Sequence, residues 1–526
     1  MTNALGKITY TTSDVDLGAF HREFDRGLAE VRSAMGGFHP LMVGGQPIEA
    51  PRNALVDRSP IDSSLILGRF SAASVDHLDR AVRSAKAAQR GWGRMPWPER
   101  VAIMGRAAAL FRERRFFLAA LMSIEVGKNR MESIGDAEEA ADLIDYYCQQ
   151  MVDGDGFVRP MHNLTPIERN VDVQRPYGVF ACISPFNFPL ALSAGMSSAA
   201  LIAGNAVVYK PAEDAPWTGL ELDRVYRDAG VPAGVFNFVT GHREEIGDAL
   251  WQHPGIDGVV FTGSRAVGMR IIAGLSGRYV KPCLMELGGK NATLVMPSAD
   301  LDAAAEGVMR SAFGLQGQKC SATSRVYAHR DVIGAFVEKL LTQTATIRIG
   351  DPTERDVWFG PVINERAVER FLGAVADARE VGAVMAGGDR LSGGALDQGH
   401  FVAPTIARLP LINRLFFEEL FVPFLAVGEV DSLGQAIEET NLADYGLTAG
   451  LFSRDRGEID RFLDQVEAGV CYVNKRSGAT TGAWPGSQPF CGWKGSGSTG
   501  KGGCGPYYLQ QFMREQSRTI IEEAGR

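Results

Sequence analysis

At 526 residues the chain is longer than one hydrophobic core usually serves, so two or three domains are expected. A composition of 45% hydrophobic and 22% charged residues excludes a disordered or fibrous chain, and a formal charge of -8 argues against a nucleic-acid partner, which needs basic surface. Seven cysteines without CxxC spacing point to a reducing compartment; the first residues, with Asp14, Asp16 and only Lys7 as a base, show no secretory or mitochondrial leader, so the expected location is cytoplasmic.

In chain order, apolar stripes at Leu78, Val82 and Ala85 and then at Val101, Met104, Ala108 and Phe111 predict two helices between Ser74 and Met131, the second starting at Pro98. The stretch 176–209 carries no charge and is long enough to cross a bilayer, yet Pro185, Asn187 and Pro189 interrupt it. It reads as domain interior, and no membrane span is expected. Apolar runs at 178–183, 206–209, 235–239 and 259–261 alternate with helix-length segments, a βαβ series. Strands so uniformly apolar belong to a parallel sheet covered on both faces, with its ligand at the carboxyl ends, where 185–189, 210–214 and 262–268 fall. A second α/β alternation runs from Ala292 through 325–328 to 450–452 and encloses Cys320, which makes it the catalytic domain. Two glycine-rich matches to GxGxxG, at 495–500 and 500–505, neither follow a clear strand nor open a helix and read as chance.

The strongest chemical signal is Glu286, opening Glu286-Leu-Gly-Gly-Lys-Asn291, followed 34 positions later by Cys320 in a turn flanked by Gly314, Gly317 and Ser321. The pair supplies a base and a nucleophile, and glycines let backbone approach a ligand at both points. A short, mobile, polar turn makes the thiol accessible, and Lys319 beside it should favour the thiolate. Cys148, Cys182 and Cys471 lie in apolar patterns and read as core; Cys283, Cys491 and Cys504 lie in loops without that polar frame.

Together these segments resemble the aldehyde dehydrogenase superfamily over essentially the whole chain. The resemblance implies an α/β fold with a Rossmann-type cofactor domain (1–155 and 173–283), a catalytic domain (284–484) and a β oligomerisation arm with the C-terminal segment (156–172 and 485–526). It implies NAD as cofactor, a small-molecule aldehyde as substrate, a homodimer or higher homo-oligomer, and no metal. Ser184-Pro-Phe-Asn-Phe-Pro189 resembles the segment carrying an oxyanion-binding asparagine, here Asn187. Cofactor contacts are implied for Ser184, Phe186, Lys210, Glu213, Gly263, Ser264, Leu287, Glu419 and Phe421. Taken alone, Asn187 also fits a helix cap and Lys210 with Glu213 a surface pair. The implied chemistry is attack by Cys320, an oxyanion met by Asn187 and the Cys320 N–H, and hydrolysis of the thioester with Glu286 as general base.

Within the superfamily, Thr481-Gly-Ala-Trp-Pro-Gly-Ser-Gln-Pro-Phe490 resembles the anchor loop of 1-pyrroline-5-carboxylate (L-glutamate γ-semialdehyde) dehydrogenases. That implies a substrate carboxylate held by Gly482, Ala483 and Ser321, an aliphatic chain covered by Phe188 and Phe490, and Asp145 where an acidic residue is expected. Three departures bear on the pocket: Trp484-Pro485 in place of two aliphatic residues, three extra residues between Asn474 and Thr481, and Cys491 in place of a glycine; in the cofactor segment, Val422 stands in place of the glycine usual after Phe421. They leave open an aldehyde dehydrogenase for another semialdehyde or an aromatic aldehyde and, more distantly, a non-catalytic protein on this fold.

Overall fold

A computed structural model describes residues 7, 16–275, 277, 279–476 and 484–522. The helical stretch before residue 131 holds three helices, not two: Val75–Trp92, Trp97–Glu113 and Arg115–Val126. Pro98 sits in the first turn of the second, where a missing N–H costs nothing. Next comes the long helix α1 (Arg130–Asp153), capped by Asn129, whose side chain accepts from the Glu132 N–H.

The apolar runs after Pro176, joined by two short strands from nearer the N-terminus, build a seven-stranded sheet from β1 (Leu41–Val43), β2 (Gln46–Ile48), β3 (Val179–Ile183), β4 (Ala206–Lys210), β5 (Phe236–Phe238), β6 (Gly258–Thr262) and β7 (Cys283–Glu286), in the order β7-β6-β3-β4-β5-β1-β2. Strands β3 to β7 run parallel. The β1–β2 edge is antiparallel, against expectation, because only Gly44 and Gly45 join its strands and so short a link cannot cross over. Cys283, read as a loop residue, lies in β7. Strand order reverses between β3 and β6, so a crevice opens at their carboxyl ends. Helices α2 (Ala191–Ile202) and α3 (Arg265–Gly274) follow those two strands.

The second sheet comprises β8 (Asn291–Val295), β9 (Thr323–His329), β10 (Ala383–Ala386), β11 (Thr405–Arg408), β12 (Phe424–Val430), β13 (Thr448–Phe452) and β14 (Val470–Val473), ordered β10-β11-β12-β9-β8-β13-β14 with only β10 antiparallel. Helix α4 (Leu301–Phe313) leads from β8 toward Cys320. The boundary expected at 283/284 falls inside β7, which pairs with β6 along its whole length; the chain passes from one sheet to the other between Glu286 and Asn291. Strands Val158–Pro160, Glu168–Pro176 and Met513–Ile521 form a separate antiparallel sheet. That ladder continues to Pro176, beyond the expected arm limit at 172, because Met513 pairs with Pro176 itself.

Candidate active site

Cys320 follows a turn after α4 in which Leu315 and Gln316 take left-handed φ values of 46° and 54°. The turn is braced, not mobile as its composition suggested. Asn291 Nδ2 donates to the Cys320 and Ala322 carbonyls at 2.7 and 2.9 Å, and Gln318 Oε1 accepts the Ile363 N–H at 2.9 Å. A Cβ on Gly289 would stand 2.3 Å from the Cys320 carbonyl oxygen, so the Glu286 segment and the nucleophile turn touch through a glycine. Asn291 therefore positions the nucleophile, a role its place in the same segment as Glu286 could have suggested.

The Lys319 expectation is corrected. Its side chain turns into the interior, with Nζ 3.0 Å from Glu132. Burial, then the Glu419 and Glu286 carboxylates, push the Cys320 thiol up to about 12. Burial likewise pushes Glu286 up to about 8, against one backbone hydrogen bond from Gly503. Glu286 Oε2 is buried and finds no hydrogen-bond partner among the described residues, a cost that a working acid or base explains better than a structural residue.

A cleft of about 450 Å³ opens at the crevice between β3 and β6, and all nine cofactor residues read from the sequence line it: Ser184, Phe186, Lys210, Glu213, Gly263, Ser264, Leu287, Glu419 and Phe421. Asn187 and Cys320 line it too. Asn187 does not cap α2, whose first N–H, on Ala191, is met by Asp136 at 2.7 Å. Nor is Lys210 a surface residue: it is buried, with Nζ 3.4 Å from the Pro211 carbonyl. Ser264 caps α3, so that helix directs its positive end at the cleft. Glu419 accepts the Gly289 N–H at 2.9 Å, and burial raises it to about 7. The left-handed residue of its segment is Phe421, at φ 56°, so the β-branched Val422 meets no backbone conflict.

On its other side Cys320 lines a cavity of about 80 Å³, with Glu286, Ser321, Phe188 and Phe490 in its wall. Lys128 Nζ lies 3.7 Å from the Phe188 ring centroid. Gly482 and Ala483 lie outside the described residues. Asp145 is not in the wall: it is exposed and paired with Arg112 at 2.7 Å. The acid that α1 contributes is Glu139, on one stripe with Leu143 and Tyr147 at i, i+4 and i+8. Asp145, six residues further on, lies about 240° around the helix. Cys504, discounted as a loop cysteine, also lines the cavity, with Tyr508, Thr262 and Met196. Trp484 is not in the wall either. Its indole N–H donates to Asp142 on α1 at 2.6 Å, so it tethers its loop instead of reshaping the pocket.

A thiol where a dinucleotide-sized cleft meets a small carboxylate-bearing cavity defines a cysteine-dependent oxidoreductase. The model of the aldehyde dehydrogenase family matches residues 49–517, and the chain belongs to that family. It is 35% identical over 517 residues to 1-pyrroline-5-carboxylate dehydrogenase 1 of Halalkalibacterium halodurans, covering 97% of this chain and 98% of that one, and 35% identical over 510 residues to the Bacillus subtilis 1-pyrroline-5-carboxylate dehydrogenase, covering 95% and 96%. Among solved structures, the Thermus 1-pyrroline-5-carboxylate dehydrogenase with bound NAD superimposes with a TM-score of 0.92 at 33% identity, covering 99% of this chain and all of that one. Proline utilization A from Bdellovibrio bacteriovorus superimposes with a TM-score of 0.91 at 34% identity over 96% of this chain, which spans 52% of that longer protein.

Proposed function

We propose that this protein oxidises L-glutamate γ-semialdehyde, the open form of 1-pyrroline-5-carboxylate, to L-glutamate with NAD. The observation that carries the reading is Cys320 at the junction of cleft and cavity, with the Glu286 carboxyl in the cavity wall. The cleft suits the dinucleotide: the capped N-terminus of α3 meets a pyrophosphate, and Glu213 and Lys210 meet ribose hydroxyls. A carboxylate at Glu213 repels a 2′-phosphate, which favours NAD over NADP. When bound, NAD supplies the hydride acceptor.

The Cys320 thiol gives up its proton to solvent as its sulfur adds to the aldehyde carbon. Asn187 and the Cys320 N–H hold the developing oxyanion. Loss of hydride from that carbon leaves a thioester on Cys320. Glu286, in its ionised form, then deprotonates the water that cleaves the thioester and frees L-glutamate. Glu139 faces the substrate's ammonium group, and Phe188 and Phe490 cover its methylenes. Gly482, Ala483 and Ser321 are assigned the α-carboxylate.

Purified enzyme supplied with 1-pyrroline-5-carboxylate should form NADH with kcat/KM at least about tenfold above that for hexanal or benzaldehyde, because an aldehyde without the charged end leaves buried polar groups unpaired. Cys320→Ala should abolish NADH formation and spare NAD binding. Better turnover of hexanal or benzaldehyde by the wild type would refute the substrate.

The arm supports a homodimer or higher homo-oligomer: beyond Met513, the strand Met513–Ile521 exposes every residue, including Ile520 and Ile521. Light scattering at micromolar concentration reads the state, and a monomer there contradicts this. Among the described residues no helix is long and apolar enough to cross a membrane. All seven cysteines are free, which supports a cytoplasmic enzyme.

A further inference from the structure

Among the described residues of the cavity wall, Cys504 is the one whose backbone works against its side chain. It is 5% exposed and sits at φ 62°, a left-handed conformation that glycine adopts freely and a residue with a Cβ adopts at a cost. Its neighbours Gly502, Gly503 and Gly505 are all glycine. The conformation is imposed from both sides. The Cys504 N–H donates to the Tyr147 hydroxyl at 3.2 Å, its carbonyl accepts the Gly486 N–H at 3.1 Å, and Gln150 Nε2 donates to the Gly505 carbonyl at 2.9 Å. One residue earlier, the Gly503 carbonyl accepts the Phe490 N–H at 2.8 Å, and a Cβ on Gly502 would stand 1.6 Å from the Phe490 oxygen. The loop is thus clamped between α1 and the Phe490 segment, with no slack to relax Cys504 toward a negative φ.

A non-glycine residue held in this region persists only where its side chain returns something. A second nucleophile is the less economical explanation. Burial and then the Glu139 and Glu286 carboxylates hold this thiol well above its ordinary range, and Cys504 lines only the substrate cavity, whereas Cys320 alone of the two also lines the cofactor cleft. What the side chain does contribute is volume. In a cavity of about 80 Å³, whose wall also holds Tyr147 stacked on Tyr508 at 5.4 Å, the Cβ and sulfur occupy space on the scale of one or two methylenes of substrate.

We propose that Cys504 is a specificity-determining residue: its side chain closes the cavity and limits the length of aldehyde that can be oxidised. For the particular substrate this rests on the glutamate-semialdehyde reading above; for length discrimination itself it does not. The cavity then takes a short-chain ω-aldehyde and rejects the homologue one methylene longer, which one methylene's worth of pocket space can do by about tenfold or more.

The test is a chain-length series on the full enzyme. Wild type, Cys504→Gly, Cys504→Ala and Cys504→Ser are compared on L-glutamate γ-semialdehyde against its homologue one methylene longer, and on the alkanals from butanal to heptanal. Melting temperature and NAD affinity serve as controls of folding. Glycine matches the imposed φ, so Cys504→Gly should fold. The ratio of kcat/KM for the longer over the shorter member should rise about tenfold in Cys504→Gly, less but in the same direction in Cys504→Ala, and stay within about twofold in Cys504→Ser, which keeps the size. An unchanged ratio in folded Cys504→Gly and Cys504→Ala overturns the assignment. So does a change in Cys504→Ser as large as that in Cys504→Gly, because chemistry and not volume would then decide. If the wild type oxidises alkanals but not glutamate semialdehyde, the substrate reading fails while the alkanal ratios still decide the role of Cys504.

Discussion

Replacing Glu286 by glutamine keeps the size of the side chain and removes its ability to take a proton from water. Thioester formation should survive and hydrolysis should stall. The structure also sets the pH at which the wild-type residue works. With burial raising Glu286 to about 8, only about a tenth of it is ionised at pH 7 and about nine tenths at pH 9, so the deacylation rate constant should climb nearly tenfold across that interval. In stopped flow, Glu286→Gln mixed with NAD and 1-pyrroline-5-carboxylate should show a burst of about one NADH per active site and then near silence. The same shift has a stability consequence of definite sign. The folded value lies above the unfolded 4.5, so between the two the folded state binds more protons than the unfolded chain, and wild-type stability falls as pH rises from about 4.5 to about 8. Glutamine does not titrate, so the melting temperature of the variant should gain on the wild type through that window. A folded, NAD-binding variant without a burst, or a deacylation rate flat between pH 7 and 9, refutes the assignment.

Gly289→Ala should lower kcat about a hundredfold, because the new Cβ meets the Cys320 carbonyl oxygen at 2.3 Å and displaces the nucleophile; activity within a few-fold of wild type would show that the turn can yield. Lys128→Met should cost about 3–5 kcal/mol in chemical denaturation, since it strands Asp136, fully buried and 2.6 Å from Lys128 Nζ. A loss below about 1 kcal/mol would mean that the pair is not charged in the folded protein.

The sequence by itself pointed to the family and picked out Cys320, Glu286 and nine residues that the fold brings to the lining of one cleft. Glu286 and seven of the nine lie at a strand's carboxyl end, and Cys320, Glu419 and Phe421 in short turns leading into β9 and β12, so local backbone geometry makes the binding surface and short motifs along the chain report it. Val422 and Trp484 were legible as departures, but their effects were not. Valine is harmless because the left-handed position is one residue earlier, and tryptophan acts through Asp142, more than 300 positions away in the chain. Only the tertiary structure decided the far wall of the substrate cavity. The α1 acid that reaches it is Glu139 and not Asp145, because the packing of the helix sets which stripe faces inward. Lys319 went to Glu132 and not to the thiol for a related reason: a buried ammonium needs a carboxylate, and the nearest one is supplied by a helix 187 positions earlier. Cys504 enters the same cavity as Cys320 because Tyr147 and Phe490 clamp its loop from opposite sides. Contacts of that range depend on how whole elements pack, and no local pattern of residues encodes them.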